Sequence, residues 1–337
     1  MRIKFHFLAA VFCLLAPIAH AQPVQQDESR PRADDKDIFN VVLENDLFAG
    51  RDRGYTNGIR FAWLSSEKSV PGWARWGANN LLPLANDGHK RINLAFGQSM
   101  FAPANLSATA PVIGDRPYAA YLYGSIGMVS DTGKKLDNVI LSLGVVGPAA
   151  LGKPIQKIVH RAVDSPEPMG WDNQLNNEPT INLTYERKWR ALYKLSPLGL
   201  QTDAVPHVGL SLGNVNTSAT TGATFRLGFD LPADYGPPRI RPSLPGSDFF
   251  IPTQNLGGYL FTTIEGRAVG RNIFLDGNTF SDSLHVDKNH FVGSLQLGVA
   301  MTWGGSRLSY THVFMTKEFE TERRAPQFGA LTYSIRF

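Results

Sequence analysis

"QFGALTYSIRF", Gln327 to Phe337, is the stretch that decides the fold. Leu331, Tyr333, Ile335 and Phe337 alternate with Thr332, Ser334 and Arg336. Strand side chains point to opposite faces in turn, so this pattern makes a strand with one apolar and one polar face. Its apolar face ends on an aromatic residue at the last position of the sequence.

That ending resembles the terminal signal of bacterial outer-membrane β-barrels, and the rest of the chain agrees with it. Segments of the length a tilted membrane strand needs, about 9–11 residues or somewhat longer, recur throughout. Twelve are expected, near 38–45, 55–64, 91–99, 118–130, 136–146, 178–189, 205–213, 222–230, 257–270, 289–303, 306–315 and 327–337. "RINLAFGQ" places Ile92, Leu94 and Phe96 on one face. "NHFVGSLQLGVAMTW" sets Phe291, Leu295, Leu297, Val299 and Met301 against Ser294, Gln296 and Gly298. The composition, with 32 Gly, 20 Phe, 10 Tyr and 6 Trp but only 18% charged residues, suits such a barrel better than a soluble sandwich of shorter strands. The expected fold is therefore all-β, a transmembrane antiparallel β-barrel of about twelve strands over 38–337, and Trp63, Tyr118, Tyr121 and Tyr123 fit its aromatic belts.

The other end reads "MRIKFHFLAAVFCLLAPIAHAQ": Arg2 and Lys4, an apolar run, then Ala19-His20-Ala21. This order is that of a secretory signal peptide over 1–21, and 22–37 is left as a periplasmic segment. Cys13, the only cysteine, departs with it, so thiol chemistry and disulfides are excluded from the mature chain. Removal lowers the formal charge from +4 to +2, which with no basic stripe excludes nucleic acid as a partner.

An even strand count puts both termini on the periplasmic side, so odd strands run outward. The loops after strands one, three and five then face outside. The turns at 130–135 and 303–306 come out short and periplasmic, while 65–90 and 231–256 are long and rich in Pro or Trp. In the third outer loop, Ile155, Ile158, Val159 and Val163 recur at helical spacing from Pro154, predicting a short helix in an extracellular loop whose apolar side folds on the barrel wall. Lys153, Lys157, His160 and Arg161 surround that stripe.

"END" closing strand one, "DRGYTNG" opening strand two, "GDRPYA" opening strand four and the loop "HRAVDSPEPMGWDNQ" together resemble the outer-membrane lipid A 3′-O-deacylase family. The resemblance implies a twelve-stranded barrel with its active site at the outer rim, between wall and loop helix. It further implies a calcium-dependent hydrolase that removes the 3′-linked acyloxyacyl group from lipid A of lipopolysaccharide. By motif, the matched positions are Asn45, Asp46, Thr56 and His160. Two features depart from the family pattern: Ser107 to Ala110 stand where a basic residue precedes Pro111, and Pro166 stands at an acidic position beside Asp164 and Glu167.

The residue chemistry runs parallel. An imidazole such as His160, ordinarily titrating at about 6.5, takes a proton from water at neutral pH. Asp46 and Asn45 offer the hard oxygens Ca2+ prefers, with Glu167 a further candidate ligand, and a bound ion would polarise an ester carbonyl. Thr56 would orient water or carbonyl. Arg116, Lys153, Lys157 and Arg161 are candidate contacts for phosphorylated headgroups. The chain is expected to act as a monomer, delivered to the membrane by an assembly machinery that reads Phe337. Two rivals stand beside this reading. An outer-membrane phospholipase would carry a serine two residues after its histidine, where this chain has Ala162. A passive channel or adhesin would need no such rim cluster.

Overall fold

The computed structural model describes residues 34–49, 54–162, 167–190, 194–195, 199–240, 242 and 246–337. The leader expected over 1–21 lies outside the described residues, as do residues 22–33. Twelve long strands form one antiparallel sheet closed on itself. They are β1 Ile38–Asn45, β2 Gly54–Leu64, β3 His89–Ala102, β4 Ala119–Asp131, β5 Lys135–Val146, β6 Glu178–Trp189, β7 Gln201–Gly213, β8 Asn216–Phe229, β9 Leu256–Asn272, β10 Phe291–Trp303, β11 Ser306–Met315 and β12 Gln327–Arg336. Closure comes from β1 against β12, registered from Ile38↔Arg336 to Asn45↔Gly329. Asp37 and Phe337 extend that seam with two backbone hydrogen bonds of 3.0 Å each. Asp34 ties the same edge down, pairing with Arg91 at 2.9 Å and with Arg336.

Period-two alternation decides what each face meets. On β12, Leu331, Tyr333 and Ile335 are exposed on the outer face, while Thr332 and Ser334 are buried inside. Phe39 and Leu43 on β1, Leu94 and Phe96 on β3, and Leu297, Val299 and Met301 on β10 continue the exposed apolar band. In a bilayer this exposed band is the buried surface, and a closed sheet leaves no backbone group unpaired against lipid. Among the described residues no helix is long and apolar enough to cross a membrane. Glycines face the lumen where another ring needs the space: a Cβ at Gly298 would lie 2.2 Å from the Phe261 ring.

Two of the expected belt tyrosines take the other face. Tyr121 and Tyr123 are odd-numbered residues of β4, whose even-numbered Ile126 is exposed outward, so both point into the lumen, stacked 4.8 Å apart. Tyr118 lies beneath Trp171, ring centroids 4.9 Å apart, and is buried. Trp63 does sit on the outer face near the periplasmic edge, its indole N–H donating to Asp37 at 3.0 Å.

The two long periplasmic connections are structured. The one after β2 carries helix α1, Gly72–Asn80. The one after β8 turns into the lumen, where Tyr235, Phe249 and Phe250 form a core with Ile38, Leu64, Val129, Leu136 and Val205 of the wall. Charges of the wall hold it. Arg60 makes a two-point contact with Asp248 at 2.7 and 2.6 Å, and Arg307 meets Asp234 at 2.7 Å. Arg226 bridges Asp203 and Asp234, and the Arg239 guanidinium meets Glu44 at 2.5 Å. Each of these side chains is nearly inaccessible, so each charge has to be paired where it sits.

Candidate active site at the outer rim

Asn45 is the last residue of β1. Its even-numbered neighbours Asn40, Val42 and Glu44 face the lumen, so Asn45 shares the outer face with exposed Phe39 and Leu43. Yet Asn45 is only 9% exposed, so at the rim something covers the outside of the wall. Asp46, 1% exposed, opens a 3-10 turn, Asp46–Ala49, that folds back over β12 and β11. Phe48 lies so close over Gly329 that a Cβ there would sit 2.6 Å from the Phe48 Cβ, and Tyr310 donates to the Phe48 carbonyl at 3.3 Å.

The cover is visible on β3. Its outer face exposes Leu94 and Phe96, then abruptly buries Gln98, Met100 and Ala102. Over these residues lie Ala150, Ile155 and Trp171 of the loop between β5 and β6, in one cluster with Tyr118, Ala120 and Leu122. The Gln98 amide N–H donates to the Ala150 carbonyl at 2.5 Å. The loop thus packs on the outside of the barrel, and its helix α2, Gly152–Ala162, starts against Ala120.

One row of the sheet connects the two halves. Asn45 is opposite Asn57, Asn57 opposite Met100, and Met100 opposite Ala120, whose carbonyl accepts from Gly147 N–H at 3.0 Å. Three inter-strand steps span about 14 Å, and an eleven-residue helix is about 16 Å long. The β1 end and α2 therefore occupy the same rim and the same, outer, face of the wall. Thr56 falls at a bulge in this region, between registered partners Tyr55 and Asn57, and its side chain lies outside the described residues.

The helix divides its apolar stripe: Ile155 packs on the wall as expected, while Ile158 is 66% exposed. Gly152, Gln156 and His160, one turn apart, form the buried face beside Ile155. Outside the wall an exposed apolar side chain such as Ile158 meets lipid, while Gln156 and His160 turn to the protein. Val163, the last residue of that stripe, lies outside the described residues. His160 is 3% exposed, its Nε2 3.3 Å from the Gln156 amide nitrogen, and Gln156 in turn accepts from the Trp171 indole at 2.6 Å. Gln156 went unnoticed in the sequence, although its spacing four residues before His160 puts it on the same face.

The expected headgroup cations divide. Lys153 lies within 2.5 Å of Asp172, Lys157 within 2.9 Å of Glu167, and Arg161 within 3.6 Å of Glu167, all on the accessible side of the loop. The cations Lys157 and Arg161 hold the Glu167 carboxyl below its ordinary range. Glu167, expected as a metal ligand, is thus engaged with those two cations. Arg116 is displaced from its expected role more completely. It is 2% exposed, donates to Glu318 at 2.7 Å, approaches Glu322 at 3.6 Å and lies over the rings of Phe101 and Phe319. A desolvated guanidinium at the seam of two outer loops has to be satisfied by protein carboxylates, which Glu318 and Glu322 supply here. Among the described residues no three His, Cys, Asp or Glu side chains cluster as a metal centre, so any cation here draws on amide, backbone and water oxygens beside Asp46.

The family model described as "Outer membrane protein LpxR" matches residues 7–337 of the chain. Among solved structures, LpxR from Salmonella typhimurium superposes with a TM-score of 0.70 at 20% identity, covering 89% of this chain and 100% of that one. The β domain of the Bordetella autotransporter BrkA reaches a TM-score of 0.42 at 12% identity, covering 90% of this chain and 100% of that one. The search of curated proteins found no match.

Proposed function

The chain belongs to the LpxR family of outer-membrane proteins, and from that membership we propose that it is a calcium-dependent lipid A 3′-O-deacylase. The observation that carries the reading is a polar, water-excluding seam between wall and helix on the lipid side of an outer-membrane barrel. An enzyme acting on an acyl ester of lipopolysaccharide must meet it in the outer leaflet, and a site inside the lumen would never touch the lipid.

In this reading His160 takes a proton from water as the oxygen adds to the 3′-ester carbonyl. It returns that proton to the departing sugar oxygen, leaving a carboxylic acid and a free hydroxyl. Asn45 and Asp46 supply adjacent hard oxygens that suit Ca2+, with backbone carbonyls and water completing its shell. When bound, the ion polarises the ester carbonyl. Thr56 orients the attacking water. Lys153, Lys157 and Arg161 face the headgroup region, where substrate phosphates compete with Asp172 and Glu167 for them. The protein works as a monomer, and Phe337 is the residue read during assembly.

The test is mass spectrometry of lipid A from cells with and without the gene. Expression should remove one acyloxyacyl unit, and His160→Ala should abolish the loss, a drop of about 10²–10⁴-fold for a general base. Asp46→Ala should remove the response of the purified enzyme to added Ca2+. Altered glycerophospholipid instead would favour a phospholipase, and unchanged lipids a passive barrel.

A further inference from the structure

We propose that helix α1 is a membrane-surface anchor, docked on the phospholipid headgroups of the inner leaflet through Trp73, Trp76 and Leu81. The connection that carries it, 65–88, is far longer than a periplasmic turn requires, and the site at the opposite rim makes no use of it.

Its start is tied on the lumenal side, where Glu67 meets His89 at 2.5 Å, and the rest of its path is set by hydrogen bonds to outward-facing residues. It leaves β2 just after Trp63, on the lipid-facing side, and Asp37 accepts from both the Trp63 indole and the Ser66 amide, at 3.0 and 2.6 Å. At its far end the Ala85 amide donates to Asp137 at 3.0 Å, and the Ala85 carbonyl accepts from Ser130 at 2.7 Å. Lys90 reaches back to the Gly88 carbonyl at 3.0 Å. Lys90 lies on the outer face of β3 with Leu94 and Phe96. Ser130 lies on the outer face of β4 with Ile126, and Asp137 on that of β5 with Leu143. The far part of the segment is therefore held against the outside of the wall, at β3, β4 and β5.

Along α1 the small residues Ala74 and Ala78, four apart, are buried at 6% and 1%, so this face lies on protein. Trp73 and Trp76, three apart and hence neighbours on the helix surface, are 77% and 61% exposed, and Leu81 just beyond is 71% exposed. In water such a patch is a liability; at a bilayer interface the indole is the preferred side chain, apolar body toward lipid and N–H toward headgroups. The periplasmic edge that α1 belongs to already carries such an interface. The periplasmic edge bears outward Trp63, the stacked pair Phe39 and Phe61, and the pair Trp303 and Tyr333, each pair with centroids 6.4 Å apart. The helix adds two indoles to this belt from outside the wall.

The experiment uses the full-length protein refolded into phospholipid vesicles with and without brominated acyl chains, the bromines close to the headgroups. The signal is the tryptophan emission that wild type has and the Trp73→Ala/Trp76→Ala variant lacks. The expected result is that most of this difference signal is quenched in the brominated vesicles, and that Trp73→Phe/Trp76→Phe restores the thermal stability the alanine variant loses in vesicles but not in detergent. A difference signal that is unquenched and emits at the wavelength of water-exposed indole overturns the proposal, as does equal loss of stability in vesicles and detergent.

Discussion

At the scale of single residues, the informative group is the line Trp171, Gln156, His160. An indole N–H can only donate. Trp171 therefore fixes the Gln156 carbonyl oxygen at 2.6 Å and turns the amide NH2 toward His160 Nε2, 3.3 Å away. The amide therefore holds the imidazole with Nε2 toward Gln156 and fixes the ring's orientation. Trp171→Phe keeps most of the ring packed on Tyr118 but frees the amide to flip, and the imidazole loses that fixed orientation. Turnover should fall about tenfold, the order of cost of losing an orienting hydrogen bond. The loss should fall on kcat, with KM little changed. A variant whose kcat is unaltered would show that Gln156 does not position His160.

At the scale of elements, α2 is held by one close approach. A Cβ on Gly152 would lie 2.4 Å from the Trp171 ring and 2.6 Å from the Ala120 Cβ. Gly152→Val should push the helix off the wall while leaving the barrel closed, as heat-modifiable gel mobility will show. Deacylation should fall about 100-fold or more, since a displacement of about 1 Å suffices for that. The latch between the outer loops 103–118 and 316–326 makes a second prediction. Burial pushes the Glu322 carboxyl up to about 7; Arg116 opposes this, while Glu318 and Asp115 add to it. A carboxyl raised in the folded state binds its proton more tightly there than when unfolded, so its contribution is full below about 4.5 and is lost as pH rises toward about 7. Protection factors of the 316–326 amides, corrected for the intrinsic rise of exchange with pH, should therefore fall between about pH 5 and about pH 8, and Glu322→Gln should flatten that dependence.

At the scale of the whole molecule, the periplasmic part of the lumen is plugged by a segment that carries its own counter-charges. Asp234 is fully buried between Arg226 and Arg307, with the Tyr259 hydroxyl donating to it at 3.0 Å. Asp234→Ala would leave Arg307 without its carboxylate and Arg226 with Asp203 alone, so unfolding in denaturant should become easier by about 3–5 kcal/mol. Planar bilayers holding that variant should show ion conductance where wild type shows none. The two faces of this barrel thus have separate duties. The inside carries structural ion pairs, and the outside carries the apolar band and the rim residues Asn45, Asp46 and His160.

How much of this was legible beforehand follows from the range of each interaction. Alternation is local, so the twelve strands and the outer apolar band could be read from stretches such as 327–337 and 289–303, and parity then put Asn45, Asp46 and His160 at one rim. What the sequence could not determine was which group each side chain meets from far along the chain. Arg60 and Asp248 are 188 positions apart, and Arg116 and Glu318 are 202 apart. No periodicity links such pairs, so Arg116 read as a free cation and 231–256 as a doubtful loop. The orientation of α2 was likewise a tertiary matter. Its stripe of isoleucine and valine said only that one side is apolar. The position of the helix against the wall decided that Ile155 packs inward beside Gln156 and His160 while Ile158 faces out.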